Sequence, residues 1–161
     1  MRHAEAVEEA ESGGDEARAL TERGRERTRD AAGGLLALGL RFDAILTSPL
    51  LRAAQTAESV AAEYANNPPP QVLPALSPGV SPRQAIAALT PFSRHGKVLA
   101  VGHEPQLSKL VALLLTPDVA VGIKFKKGGC VALNLPKTIE PGAAELQWML
   151  TQRQLRKLRK S

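Results

Sequence analysis

Apolar positions along the chain fall into a recurring pair, a short run suited to a strand followed by a stripe at helical spacing. Residues 4 to 17 are rich in Ala, Glu and Gly without clear periodicity and read as a long loop. Thr21 is then placed to cap a helix running to about Leu38, with Leu20, Thr28, Ala31, Leu35 and Leu38 as its apolar face. Gly33-Gly34 weakens that helix and Gly39 offers a stop. Phe42 to Thr47 predicts a buried strand, with Pro49 in the first turn of a helix that buries Leu50, Ala54, Ala57, Ala61 and Tyr64. A third unit has a strand near Gln71 to Leu73 and a helix from about Pro82 to Leu89. The fourth is the clearest: Val98 to Val101 is wholly apolar, and Leu107, Leu110, Val111, Leu114 and Leu115 follow at helical spacing. Ile123 to Lys127 and Cys130 to Leu135 read as a hairpin joined by Gly128-Gly129, and a last strand near Leu146 to Leu150 leads into a basic helix. The alternation predicts a three-layer α/β/α sandwich with a mainly parallel sheet, as a single domain over residues 1–161.

Composition narrows this picture. Aromatic residues are 3% of the 161, so the core is built from Leu, Val, Ile and Ala. Cys130 is the one cysteine, which excludes an internal disulfide, and with no signal-peptide pattern at the start the cytoplasm is the expected compartment. The apolar run Leu110 to Leu115 falls far short of the ~20 residues that cross a bilayer. The net charge of +5 resides in Arg153, Arg156, Lys157, Arg159 and Lys160, without which the chain sums to zero. A basic patch confined to one terminal helix, with no interleaved aromatics, reads as a solvated helix end rather than a nucleic-acid surface.

In open α/β sheets ligands bind outside the carboxyl ends of the strands, so polar residues just after strands carry the chemistry. Thr47-Ser48-Pro49-Leu50-Leu51-Arg52 places Arg52 in the first turn of a helix, where the dipole and free N–H groups favour an anion. Val101-Gly102-His103-Glu104-Pro105 places His103 at the same rim, and Arg2-His3 joins them if a strand ends at Met1. Two Arg and two His around one spot suit a dianionic phosphoryl group.

These segments, together with Met1-Arg2-His3-Ala4-Glu5-Ala6 and Arg18-Ala19-Leu20-Thr21-Glu22-Arg23-Gly24, resemble the histidine phosphatase superfamily of phosphoglycerate mutase-like fold, and within it the SixA-type phosphohistidine phosphatases. The resemblance implies that His3 attacks phosphorus, that Arg2, Arg52 and His103 hold the phosphoryl oxygens, and that water hydrolyses a phosphohistidine intermediate. Arg18 is a further candidate for the phosphate or the substrate, although Ala19 stands where the family pattern has proline. No metal or cofactor is implied. The expected substrate is a phosphohistidine-bearing protein, with no nucleic-acid or membrane partner and a monomeric state. Alternatives are a small-molecule phosphomonoesterase of the same superfamily and an inactive domain that binds phosphorylated partners.

The general acid is the open position, with Glu5, Asp15 and Glu104 as candidates. An imidazole leaving group, pKa ~6.5, departs far more easily than an alkoxide and makes that gap less consequential. In the resembling family the Arg-His pair follows a buried strand, so the sequence predicts a sheet whose first strand is missing at the N-terminus. The 161-residue form is accordingly expected to be of marginal stability and activity, and to gain both from about six residues of strand-forming extension.

Overall fold

The computed structural model describes every residue except Asn67, Ala120, Lys160 and Ser161. Three parallel strands lie in the order β2 (Gln71–Val72), β1 (Ala44–Thr47), β3 (Val98–Val101). All four β1 residues are buried, as befits a central strand covered on both faces. Register pairs Thr47 with Val101, so Ser48 and Gly102-His103 leave the sheet at the same level. On the far side of β3, Arg2 forms a parallel bridge with Gly102, and Met1 N donates to Ala100 O at 2.7 Å. The other edge of the same three residues pairs with the chain entering β4: Arg2 N donates to Gly129 O and Gly128 N to His3 O. β4 (Cys130–Asn134) and β5 (Glu145–Leu150) form an antiparallel pair beyond. Among the described residues, the row between β3 and β4 is therefore represented by residues 1–3.

One face of the sheet carries α2 (Glu22–Ala37), α3 (Leu51–Ala61) and α6 (Gln152–Leu158), whose Leu35, Val60 and Leu155 pack with Ile45 and Leu99. The other carries α4 (Pro82–Leu89) and α5 (Gln106–Leu115), with Ala85 and Ile86 against Leu110 and Leu114. The three-layer sandwich expected from the strand–helix alternation is thus the observed fold. Local signals hold where capping chemistry is explicit: Thr21 Oγ1 accepts from Gly24 N at 2.9 Å, and Ser81 and Gln84 form a reciprocal capping box. Gly33-Gly34, read as a weakness, is where α6 crosses α2. A Cβ at Gly34 would overlap the Leu155 carbonyl.

Several expectations are corrected. Residues 123–127 form a loop, and the antiparallel partner of β4 is β5, because Lys126 O accepts from Gly129 N in a turn and Phe125 is buried against α5. The early loop contains a short helix, α1 (Glu9–Ser12). Leu38 is largely exposed, since α2 ends at Ala37. Pro49 precedes α3 rather than entering it, and the helix buries Ala53, Thr56, Ala57 and Val60, a face rotated by about one residue from the expected one. The basic terminal helix is anchored, not merely solvated: Arg156 and Arg159 both pair with Asp30, at 3.2 and 3.4 Å, and Leu155 is fully buried. Lys160 lies outside the described residues.

Candidate active site

The strand ends deliver four side chains to one place. His3 and His103 have ring centroids 5.0 Å apart. With Arg52 they are nearly inaccessible, at 6%, 2% and 4% exposure. Each is positioned by its own element. His3 N donates to Gly102 O at 3.0 Å, tying it to the end of β3, and Ala4 N donates to Thr56 Oγ1 on α3 at 3.0 Å. Arg52 sits in the first turn of α3, two residues after the N-cap Leu50, whose N–H donates to Ser48 Oγ at 3.3 Å. Arg2 donates through Nη1 to Phe125 O at 2.9 Å, which draws the 123–128 loop against the site.

Hydrogen bonding assigns the proton of the His3 ring. His3 Nδ1 lies 2.8 Å from Ala4 O, and a carbonyl can only accept, so Nδ1 carries the proton and Nε2 of the neutral ring holds a free lone pair. His103 Nε2 lies 2.8 Å from Ser48 Oγ. Ser48 Oγ accepts from Leu50 N–H and keeps both a second lone pair and its own proton, so either neutral tautomer of His103 satisfies this contact; the other ring nitrogen is Nδ1. That Nδ1, with Arg2 Nε and Arg52 Nε, is buried and has no hydrogen-bond partner in the protein. The two guanidinium N–H groups are thus donors buried without acceptors, at a cost of about 1–3 kcal/mol each, which fits the binding of an oxyanion.

The electrostatics follow from this crowding. Burial drives the pKa of His3 down to about 4; the Ala4 carbonyl opposes the shift, and Arg52, Arg2 and Lys127 add to it. Burial likewise takes His103 down to about 3, with His3, Arg52 and Arg2 contributing. Both rings are neutral at physiological pH.

Of the three candidate acids, one reaches the cluster. Asp15 Oδ2 accepts from Arg52 Nη2 at 2.9 Å, Asp15 O from Arg52 Nη1 at 2.6 Å, and Asp15 Oδ1 from Arg18 Nη1 at 3.1 Å. Arg18 thereby joins the site through Asp15, while its Nε donates to Val7 O at 2.8 Å. Partial burial raises the Asp15 pKa, but hydrogen bonds from Arg52 and Arg18 outweigh it and hold the carboxyl below its usual range. Glu5 pairs with Arg27 at 3.2 Å, and Glu104 Oε1 accepts from Ser108 N at 3.1 Å as a cap on α5. Neither is placed on the His3 cluster. His95 lies on the surface stacked on Phe92, and Cys130 is buried at the start of β4. Ser48 and Lys127 were not legible as site residues. Ser48 directly follows a strand, the same signal that marked His103, whereas nothing local in the sequence places Lys127 beside His3.

Among the described residues no helix is long and apolar enough to cross a membrane, and no group of three or more His, Cys, Asp or Glu could hold a metal ion. Residues 1–77 match the family model of the histidine phosphatase superfamily, branch 1. An uncharacterized protein of Picosynechococcus is 37% identical over 149 residues, covering 91% of this chain and 86% of that protein. The phosphohistidine phosphatase SixA of Escherichia coli is 36% identical over 117 residues, 71% of either chain. A structure of the protein histidine phosphatase SixA complexed with tungstate superposes with a TM-score of 0.84 at 27% identity, covering 96% of both chains. Sequence and fold agree on one affiliation, and the chain belongs to the histidine phosphatase superfamily as a SixA-type phosphatase.

Proposed function

We propose that this phosphatase hydrolyses phosphohistidine on a protein substrate, with His3 as nucleophile and Arg2, Arg52 and His103 as the phosphoryl-binding groups. The neutral ring with its Nε2 lone pair free is the reactive form of His3. Nε2 attacks phosphorus as the substrate's N–P bond breaks, and the departing imidazole takes a proton from solvent or from a transiently protonated Asp15. Arg2, Arg52 and, in its Nδ1–H tautomer, His103 donate to the equatorial oxygens, where charge spreads in the transition state. Water then adds to phosphorus, the P–Nε2 bond breaks, inorganic phosphate leaves, and His3 returns to its starting state. The cationic residues supply the charge stabilisation that a metal provides elsewhere, and no metal is invoked. That a SixA relative forms a complex with tungstate supports oxyanion binding by this chain.

One observation carries the choice of substrate: Asp15, the candidate acid that reaches the site, is held ionised by Arg52 and Arg18. An ionised carboxylate is a poor proton donor, so the leaving group must depart with little acid assistance. Imidazole, with a pKa of ~6.5, meets that requirement and an alkoxide does not. Matched peptides bearing phosphohistidine or phosphoserine, tested beside small phosphate esters on purified protein, separate the readings. Phosphohistidine is expected to be turned over with the highest kcat/KM. A preference for phosphoserine or for a sugar phosphate would overturn the assignment. We also propose that residues 1–161 act as one catalytic domain, since the site draws on Arg2 near the start of the chain and on the loop near residue 127.

A further inference from the structure

We propose that the loop over residues 123–128 is a docking element for an acidic segment flanking the phosphorylated residue of the partner protein. The inference rests on the substrate class proposed above and extends it to the surface around the phosphate. Beside Arg2 lies a cleft of about 590 Å³. Arg2, Lys124, Lys126 and Lys127 line it, as do Glu5, Glu8 and Glu11 with Arg27. The lining thus holds five cations and three carboxylates, and one of the three, Glu5, is already paired with Arg27 at 3.2 Å.

The lysines differ from ordinary surface lysines in three ways. All three are exposed, and none of their side chains forms a hydrogen bond or ion pair with the described residues. The segment that carries them is held firmly: Phe125 is 2% exposed against Leu107 and Val111, and its carbonyl accepts from Arg2 Nη1 at 2.9 Å. It is also coupled to the nucleophile, because Gly128 N donates to His3 O at 3.1 Å and Lys127 contributes to the electrostatic environment of the His3 ring. A fixed, unneutralised basic cluster next to a phosphate site selects partners by charge and accelerates encounter with acidic ones. An acidic stretch beside the phosphohistidine completes the ion pairs that the protein itself leaves unmade. The carboxylates in the same cleft disfavour a long polyanion that would fill it, which points to a protein segment rather than a nucleic acid.

The test uses labelled, unphosphorylated peptides with a central His and either Asp/Glu or Gln/Asn flanks. Fluorescence anisotropy reports binding to the wild type, to Lys124→Gln/Lys126→Gln and to Lys124→Arg/Lys126→Arg, at about 50 mM and 500 mM salt. The acidic peptide is expected to bind about 10-fold more tightly than the neutral one at low salt. That preference should vanish at high salt and in the Gln variant, and persist in the Arg variant. Aryl phosphate turnover of the Gln variant should stay within about twofold of wild type, which also shows that it folds. Equal binding of the two peptides, a preference that survives the Gln variant, or stronger competition by a single-stranded oligonucleotide would each overturn the docking role. Turnover of the matched phosphohistidine peptides is read separately. Failure there with aryl phosphate still hydrolysed strikes the proposed substrate, while the anisotropy still decides the docking surface.

Discussion

Lowering the pH from 7.5 to 4.5 should destabilise the protein through its two buried histidines. In the folded state His3 and His103 have pKa values of about 4 and about 3 against 6.5 when exposed. The unfolded chain therefore binds protons that the folded chain refuses as pH falls below 6.5. The sign is fixed by linkage: the stability these groups contribute is complete above pH 6.5 and is lost as pH drops toward their folded values. Each group costs about 1.4 kcal/mol per pH unit inside that window, so one histidine removes about 2–3 kcal/mol by pH 4.5 and two remove at most about 5 kcal/mol. The sum is an upper bound because His3 and His103 face each other and do not protonate independently. Against a domain stability of ~5–15 kcal/mol this is a dominant effect. Asp15, depressed by Arg52 and Arg18, loses its contribution at lower pH, outside the window. Urea unfolding at intervals between pH 7.5 and 4.5 gives the slope, and the His3→Asn/His103→Gln variant should flatten it. A wild-type slope near zero between pH 6.5 and 5, or an unchanged slope in the variant, would refute the burial argument.

His3→Ala should abolish aryl phosphate hydrolysis, and Arg52→Ala and His103→Ala should each cost about 100-fold or more in rate; a His3→Ala protein of wild-type activity sinks the nucleophile. Asp15→Asn should tighten tungstate or phosphate binding, seen as a larger ligand-induced rise in Tm, because it removes the carboxylate that Arg52 now holds at 2.9 Å; weaker anion binding in this variant would show that Asp15 orders the arginines rather than competing with substrate. Activity should survive exhaustive chelation unchanged, and recovery of a lost activity on adding a divalent metal would count against the mechanism. Gly34→Ala should lower stability by about 1–3 kcal/mol, read by denaturant midpoint, since its methyl meets the Leu155 carbonyl at the crossing of α2 and α6.

The parts of this fold that could be read in advance are those whose local pattern and tertiary environment agree. Val98 to Val101 is apolar throughout because β3 is paired on one side with β1 and covered by helices, and Ser81-Pro82 announces a helix that needs no tertiary help to start. Ile123 to Lys127 misleads for the opposite reason. Its alternation of apolar and charged residues imitates a half-buried strand, yet Phe125 is buried to hold a loop, and its carbonyl serves Arg2 rather than a neighbouring strand. The site was legible at Arg2, His3, Arg52 and His103, each marked by its place at a strand end. The bridging part of Asp15 was not, since it depends on two arginines, 3 and 37 positions away in sequence, converging on one carboxylate. Which of Glu5, Asp15 and Glu104 approaches the phosphate is a question of loop path, and loop path leaves no periodic trace.

The three residues at the start of the chain are hydrogen-bonded to β3 through Gly102 and to the approach of β4 through Gly128 and Gly129. The proposed nucleophile, His3, therefore sits on a splice between two sheets that share few other backbone ladders among the described residues. Local opening of either sheet must release the same amides, so His3, Gly102 and Gly128 should lose hydrogen-exchange protection together, as one cooperative unit. A phosphoryl group bridging Arg2, Arg52 and His103 would clamp that seam from the side-chain direction, and slowed exchange at these backbone positions becomes a record of occupancy that requires no turnover at all.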